Sequence, residues 1–243
     1  MEVLNELLGY PKIKIYQNTE LFSFSIDSLL LADFATINQK VNNIVELCSG
    51  NGAVSFYLTL RTKKPITSIE LQKEAYDLAV KSLKENKFEN INFINDNLID
   101  IHKKIGRQKY DLVLVNPPFF KYDKTSNINK SEFKTIARHE VECNLDDVIK
   151  ESYALLNNGG YLAMVHRPDR LDEIIITLNK YKMSLKRLQF IYPKNNQTCN
   201  HVLIEAKKSV NTGGVTILSP LVVHDEDGEY TEEVLKIYNR KEE

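Results

Sequence analysis

Cysteine is scarce in this chain: Cys48, Cys143 and Cys199 are odd in number, widely separated and never in a C-x-x-C pair. That excludes a disulfide framework and a cysteine zinc site, so no metal is expected and a reducing cytoplasm fits best. Charge of one sign is not in excess either, since 32 Lys and Arg offset 33 Asp and Glu. No global positive field then supports indiscriminate nucleic-acid binding, and any RNA or DNA contact must use a local patch. Long hydrophobic runs are missing: the longest, such as 29–32 and 112–115, are far below bilayer length, and the N-terminus has no apolar signal core. A soluble cytoplasmic protein without membrane association is expected. Internal repeats and low-complexity tracts are also lacking, which leaves local periodicity as the organising signal.

With 243 residues, 42% of them hydrophobic, the chain can bury a full core within one α/β unit. Short β-branched runs alternate with longer helical periodicities. Strands are expected at 43–47, 66–70, 91–95, 111–115, 161–165, 185–192 and 202–206. Helices are expected at 53–60, 73–86, 146–155 and 170–180, with Asn144 or Asp146 and Asp169 as caps. Residues 13–35 read as a short hairpin feeding a helix, and 231–238 as a surface helix in an acidic tail. The aromatic and basic stretch 119–138 reads as a long loop directly after a strand's carboxyl end, where open α/β sheets bind ligands.

The run from Ile44 through Glu46, Cys48, Gly50 and Gly52 to Ala53 puts a carboxylate near the end of a buried strand and two glycines at the strand-to-helix turn. Glycine lets the backbone approach a ligand with no Cβ in the way. Ser55 stands where the third glycine of a dinucleotide fingerprint would fall, and a pyrophosphate would be a poor neighbour for Glu46. A methionine-derived sulfonium with a free ammonium suits such a pocket better. Glu70, closing the second strand, can accept both hydroxyls of a ribose, with Leu71 against the adenine. Asp96, followed by Asn97 after the third strand, can accept from the adenine amino group. Each residue alone has a bland reading as turn or cap. Three acids at successive strand ends are harder to explain that way.

The most specific signal is Asn116-Pro117-Pro118-Phe119 after a buried strand. A diproline stop explains the prolines but not the flanking asparagine and aromatic. An exocyclic amino nitrogen is nearly non-nucleophilic, because its lone pair is delocalised into the ring. Asn116 Oδ1 and the Pro117 carbonyl can accept its two N–H bonds and bend them out of plane, while Phe119 stacks on the ring at a gain of roughly 1–3 kcal/mol. Asn116 thus faces both cofactor and substrate. Phe120, Lys121, Tyr122, Lys124, Lys130, Lys134 and Arg138 mix aromatics and cations as single-strand binders do, although a solvated loop explains them equally well. His166 and His139 read as structural. Lys180, Lys182, Lys186, Arg187 and Lys194 form a basic concentration, either a phosphate-contact face or solvated charge.

These motifs, together with Phe22 to Ser28, Ala137-Arg138-His139-Glu140, Met164 to Pro168 and Pro220 to His224, resemble the bacterial tRNA adenine-N6 methyltransferases that modify the adenosine 3′ of the anticodon in valine tRNA. The resemblance implies a Rossmann-like, seven-stranded class I methyltransferase sheet with helices on both faces and its last strand antiparallel. It implies one domain over 1–243, in which 1–40 is a hairpin-helix extension covering the cofactor and 41–243 the core. S-adenosylmethionine is the implied cofactor and the tRNA anticodon stem-loop the implied partner. Ser25 and Asp27 are placed by family likeness over the cofactor, and Arg138, His139 and Arg167 near the substrate. Asn-Pro-Pro-Phe also occurs in enzymes that methylate guanine N2 in ribosomal RNA, and Asn-Pro-Pro-Tyr in those that methylate release-factor glutamines. An rRNA or DNA amino-group methyltransferase is therefore the alternative, and the sequence carries no signal for an oligomeric state.

Overall fold

The structure, a computed structural model, describes residues 1–18, 25–117, 144–211 and 213–238. The expectations for Phe22 to Phe24, and for Pro118, Phe119, Phe120, Lys121, Tyr122, Lys124, Lys130, Lys134, Arg138, His139 and Cys143, lie outside the described residues.

Apolar, β-branched runs buried on both faces build a mostly parallel sheet. Its strands are β3 (Ile44–Leu47), β4 (Ile66–Glu70), β5 (Ile91–Asn95), β6 (Tyr110–Val115), β7 (Leu156–His166), β8 (Met183–Tyr192) and β9 (His201–Lys208). They lie in the order β8-β9-β7-β6-β3-β4-β5, and β9 runs antiparallel to both neighbours. Two further strands, β10 (Thr216–Ile217) and β11 (Leu221–Val222), pair parallel with β8, so among the described residues the sheet has nine strands rather than the seven expected. Strands of two residues leave no period in the sequence to read.

Alternation along β3 sends Ile44 into one core layer and Val45 and Leu47 into the other. The first layer receives α1 (Ile26–Phe34), α2 (Ala53–Leu58) and α3 (Lys73–Asn86). The second receives α5 (Leu145–Leu155) and α6 (Leu171–Lys180), with the single turn α4 (His102–Ile105) beside them. Asn144 is the cap of α5, in a capping box with Asp147. Asp146 instead accepts from Lys180 and Tyr181, and Asp169 sits inside a 3-10 turn without capping.

The N-terminal hairpin begins earlier than expected, as β1 (Glu2–Leu7) and β2 (Tyr10–Asn18). Most of β1 is exposed, so it lacks the apolar alternation that would have revealed it. The free edge of β2 is covered by α3: Lys14 N–H donates to Asn86 Oδ1 and Tyr16 N–H to Ser82 Oγ, each at 2.8 Å. The C-terminal helix α7 (Glu232–Tyr238) is anchored rather than superficial, with Val234 fully buried and Tyr10 Oη donating to the Ile237 carbonyl at 2.7 Å. No helix among the described residues is long and apolar enough to cross a membrane.

Candidate active site

The turn after β3 is closed by backbone bonds from Ser49 N–H to Ile69 O and from Gly52 N–H to Ser49 O. Three of its residues hold positive φ: Cys48 at 55°, Gly50 at 55° and Gly52 at 88°. The two glycines differ in purpose. A Cβ on Gly50 would meet nothing within 4 Å, so the turn is open there. On Gly52 it would come within 2.5 Å of Phe93, so that glycine serves packing. Asn51 Nδ2 donates to the Tyr16 carbonyl at 3.2 Å and ties the turn to the hairpin. The Ser49 hydroxyl is buried with no hydrogen-bond partner among the described residues.

Glu46 is 1% exposed, and its carboxylate accepts from Ser55 Oγ, which lies 2.7 Å from Ser68 Oγ. Burial pushes its pKa up to about 8, against the pull of the Ser55 bonds. Glu70 accepts Gly50 N–H at 2.7 Å and Gln72 N–H at 2.8 Å, and burial raises its pKa too. Leu71 beside it is 38% exposed, an apolar side chain open to solvent. Asp96 accepts from Lys104 and from Asn97 N–H, and the Lys104 ammonium holds its carboxyl below the usual range. Asn97 Oδ1 accepts Ile99 N–H at 2.8 Å, an Asx turn. Asn95, not singled out from the sequence, bridges the carbonyls of Glu70 and Leu71 with its amide.

Leu47 pairs with Val115, so Cys48 and Asn116 follow on neighbouring strands at the same edge. Asn116 is half-buried and Pro117 buried. Across the sheet, Asp27 accepts from Ser25 Oγ at 2.6 Å and lies 3.6 Å from His201 Nδ1. His166 is buried, its Nδ1 accepting Arg167 N–H at 2.8 Å. Burial lowers its pKa to about 4, so the ring is neutral at pH 7. The Arg167 guanidinium reaches Asp169 at 3.2 Å.

A model of the methyltransferase small domain matches residues 13–181. The chain belongs to that family. This methyltransferase is 23% identical over 224 residues to a tRNA1(Val) (adenine(37)-N6)-methyltransferase of Flavobacterium psychrophilum, covering 85% of this chain and 94% of the relative. A protein of the same description from Porphyromonas gingivalis is 24% identical over 243 residues, covering 96% and 93%. Among solved structures, a predicted O-methyltransferase from Agrobacterium tumefaciens superposes with a TM-score of 0.68 at 21% identity, covering 87% of this chain and 95% of that one. The fold is that of the Rossmann-like class I methyltransferases, and the enzyme uses S-adenosylmethionine, leaving S-adenosylhomocysteine.

The turn fits that cofactor. Gly50 leaves an open cradle, and the Ser49 hydroxyl awaits a partner. The 180–194 region of the methyltransferase, in contrast, is largely committed elsewhere. Lys180 binds Asp146, Lys186 the carbonyls of Asn211 and Gly213, Lys194 the carbonyl of Glu226, and Arg187 the buried Glu205. Asp100, His102 and Glu151 approach one another, but Glu151 is occupied as a cap, accepting Asp100 N–H, His102 N–H and His102 Nδ1. A cavity of about 500 Å³ opens at the opposite, amino edge of the sheet, lined by Lys40, Asp111, Tyr161 and Lys207, away from the glycine turn.

Proposed function

We propose that this methyltransferase modifies the exocyclic N6 of an unpaired adenosine in a tRNA anticodon loop, valine tRNA being the substrate its relatives' descriptions name. The observation that carries the reading is the adjacency of Asn116 and Pro117, at the end of β6, to the glycine turn after β3. When bound, the cofactor supplies an electrophilic methyl on a sulfonium. Asn116 Oδ1 and the Pro117 carbonyl accept the two amino hydrogens and turn the nitrogen lone pair out of the base plane. Pro117 has fixed φ and no N–H, so its carbonyl is held rigidly. Phe119 stacks on the target base, and Phe120, Lys121, Arg138, His139 and Arg167 contact the RNA around it. Glu70 and Leu71 hold ribose and adenine, Ser25 and Asp27 cover the site, and Asp96 and Asn97 flank the adenine. Orientation supplies most of the acceleration. The target base is either unpaired already or flipped out at a cost of a few kcal/mol, and a loop adenosine avoids much of that cost.

The test is methyl transfer from labelled cofactor to tRNA, rRNA and DNA offered separately, followed by nucleoside mass spectrometry. N6-methyladenosine in tRNA alone is expected. Label confined to rRNA or DNA would overturn the substrate, and full transfer by Asn116→Ala would overturn the role of the asparagine.

A further inference from the structure

The amino edge of the sheet, opposite the glycine turn, carries a row of lysines that the reaction at the carboxyl edge does not use. Resting on the tRNA reading above, we propose that this row, with the cavity inside it, binds backbone phosphates of the substrate away from the methylated base.

Topology assembles the row. Helices α1 and α2 belong to one core layer, and the chain leaving each returns to the amino edge, where Lys40 precedes β3 and Lys63 and Lys64 precede β4. Lys207 reaches the same edge from the other direction, because β9 is antiparallel and ends where β7 begins, paired with Tyr161. Tyr161 packs against the layer of α1 and α2, and paired residues share a face, so Lys207 stands on that side too. From β9 across β7, β6 and β3 to β4 the row covers four strand spacings, roughly 20 Å. That is room for several phosphates.

The side chains turn this edge into a site. Pairing of β6 with β7 skips from Leu156 to Tyr161, so residues 157–160 bulge out of the ladder. A Cβ on Gly159 would stand 3.7 Å from Lys207 Cε, and Lys207 Nζ lies 5.3 Å from the Tyr161 ring centroid. The Lys207 stem therefore lies along the bulge, and with Lys40 it lines the cavity of about 500 Å³. Lys64 Nζ donates to Asn42 Oδ1 at 2.9 Å, and Asn42 Nδ2 to the Lys40 carbonyl at 3.3 Å, which sets a third ammonium beside the same loop.

Charge at this edge is not balanced, although the whole chain carries only −1. Asp111 is the acid that lines the cavity, and its oxygens already accept Asn42 N–H at 2.9 Å, Asn43 N–H at 3.1 Å and Asn157 Nδ2 at 2.8 Å. Lys40, Lys63, Lys64 and Lys207 form no ion pair among the described residues. Other cations of this edge are used within the fold: Lys109 donates to the Ile105 carbonyl, and Lys208 to the carbonyls of Tyr153 and Leu156. Beyond β4, Glu85 and Glu89 flank Lys87 and end the excess. Like charges held together repel, and a polyanion relieves that repulsion while releasing its own counterions. Lysine acts on phosphate as a point charge, so the row positions RNA without reading a base. Strands β3 and β6, of 4 and 6 residues, separate this edge from the reacting one by about 20 Å at the usual rise, a distance that one folded tRNA bridges.

Binding of full-length tRNA across salt concentrations tests this, with a triple variant Lys40→Gln, Lys64→Gln and Lys207→Gln that keeps the stems and removes the charges. The slope of log affinity against log salt should become shallower by about 2 to 3, and KM for tRNA should rise about tenfold or more at low salt. At saturating tRNA, kcat should stay at the wild-type value, as should the melting temperature and the affinity for S-adenosylhomocysteine. The matching triple Lys→Arg variant should restore the slope. Normal methylation of tRNA with an unmoved slope in the Gln variant would overturn this inference and leave the function standing. So would calorimetric binding of inorganic phosphate that the Gln variant loses while its tRNA slope is unmoved, since the cavity would then serve a free anion. No labelling of tRNA by wild type would overturn the function and this inference together.

Discussion

Glu70 and Gly50 are joined across the carboxyl edge of the sheet, the Gly50 N–H donating to Glu70 Oε2 at 2.7 Å. The other carboxylate oxygen accepts Gln72 N–H at 2.8 Å. One side chain thus ties the turn after β3 to the start of α3. A carboxylate offers about four acceptor positions, so it can hold the turn and still receive ribose hydroxyls. On the proposed ribose role, site shape and cofactor recognition would meet in the same group.

Glu70→Gln puts an amide where two backbone N–H groups now point, and one of them must face a donor. Hydrogen bonds to a charged group are worth about 1.5–3 kcal/mol, so affinity for S-adenosylhomocysteine should fall about 10- to 100-fold in calorimetry. Unchanged affinity would remove Glu70 from the ribose site.

The two glycines of the turn should separate binding from folding. Gly50→Ala carries only the left-handed penalty of about 1–2 kcal/mol, since its Cβ meets nothing, yet it fills the cradle and should weaken cofactor binding at least tenfold. Gly52→Ala carries the same penalty plus a collision with Phe93 at 2.5 Å, and overpacking adds about 1–3 kcal/mol. Thermal melts should therefore rank Gly52→Ala well below Gly50→Ala. Equal melting temperatures would contradict this division.

What could be read in advance follows from range. β4, β5 and α3 matched their sequence periods, because each buries a regular apolar stripe. The turn at Gly50 and the Asn116-Pro117 pair were legible because their chemistry is local. β1 was not legible, as its stability comes from pairing with β2 rather than from its own burial. The same applies to β10 and β11, which exist only against β8. Asp27 and His201 could not be paired in advance, since they meet only through the antiparallel placement of β9. The pairing of Arg187 with Glu205 was hidden for the same reason, since its partner lies one strand away.

Arg187 therefore supplies a test of stability rather than of RNA binding. Its guanidinium lies 3.0 Å from Glu205 Oε2, donates to the Phe34 carbonyl, and covers the Phe34 ring at 4.4 Å from the centroid. Glu205 is buried and, among the described residues, keeps only Thr36 when Arg187 is removed. Breaking a buried pair costs about 3 kcal/mol at the low end, which suits a partly exposed arginine. Arg187→Ala should melt several degrees lower and bind RNA with unchanged salt dependence. A reduced salt slope with normal melting would restore the phosphate-contact face.

Glu46 links the buried strand to pH. Its folded pKa, raised by burial to about 8 from 4.5, means the folded protein keeps a proton that the unfolded chain has already released between those values. The folded state then binds more protons, so stability falls as pH rises through that window. His166 acts in the opposite direction and lower down: lowered to about 4, it contributes stability that is lost as pH falls from 6.5. Melts between pH 6.5 and 8 lie above the His166 window, and because burial raises the Glu70 pKa as well, the difference between wild type and Glu46→Gln is what isolates Glu46. Glu46→Gln removes its titration while its carbonyl can still accept from Ser55 Oγ, so the variant's melting temperature should drop less there than that of wild type. The gap should widen by up to about 1.4 kcal/mol per pH unit, or a few degrees for a chain of this size. Parallel curves would mean that Glu46 is ionised in the folded protein throughout, and that the bond from Ser55 outweighs its burial.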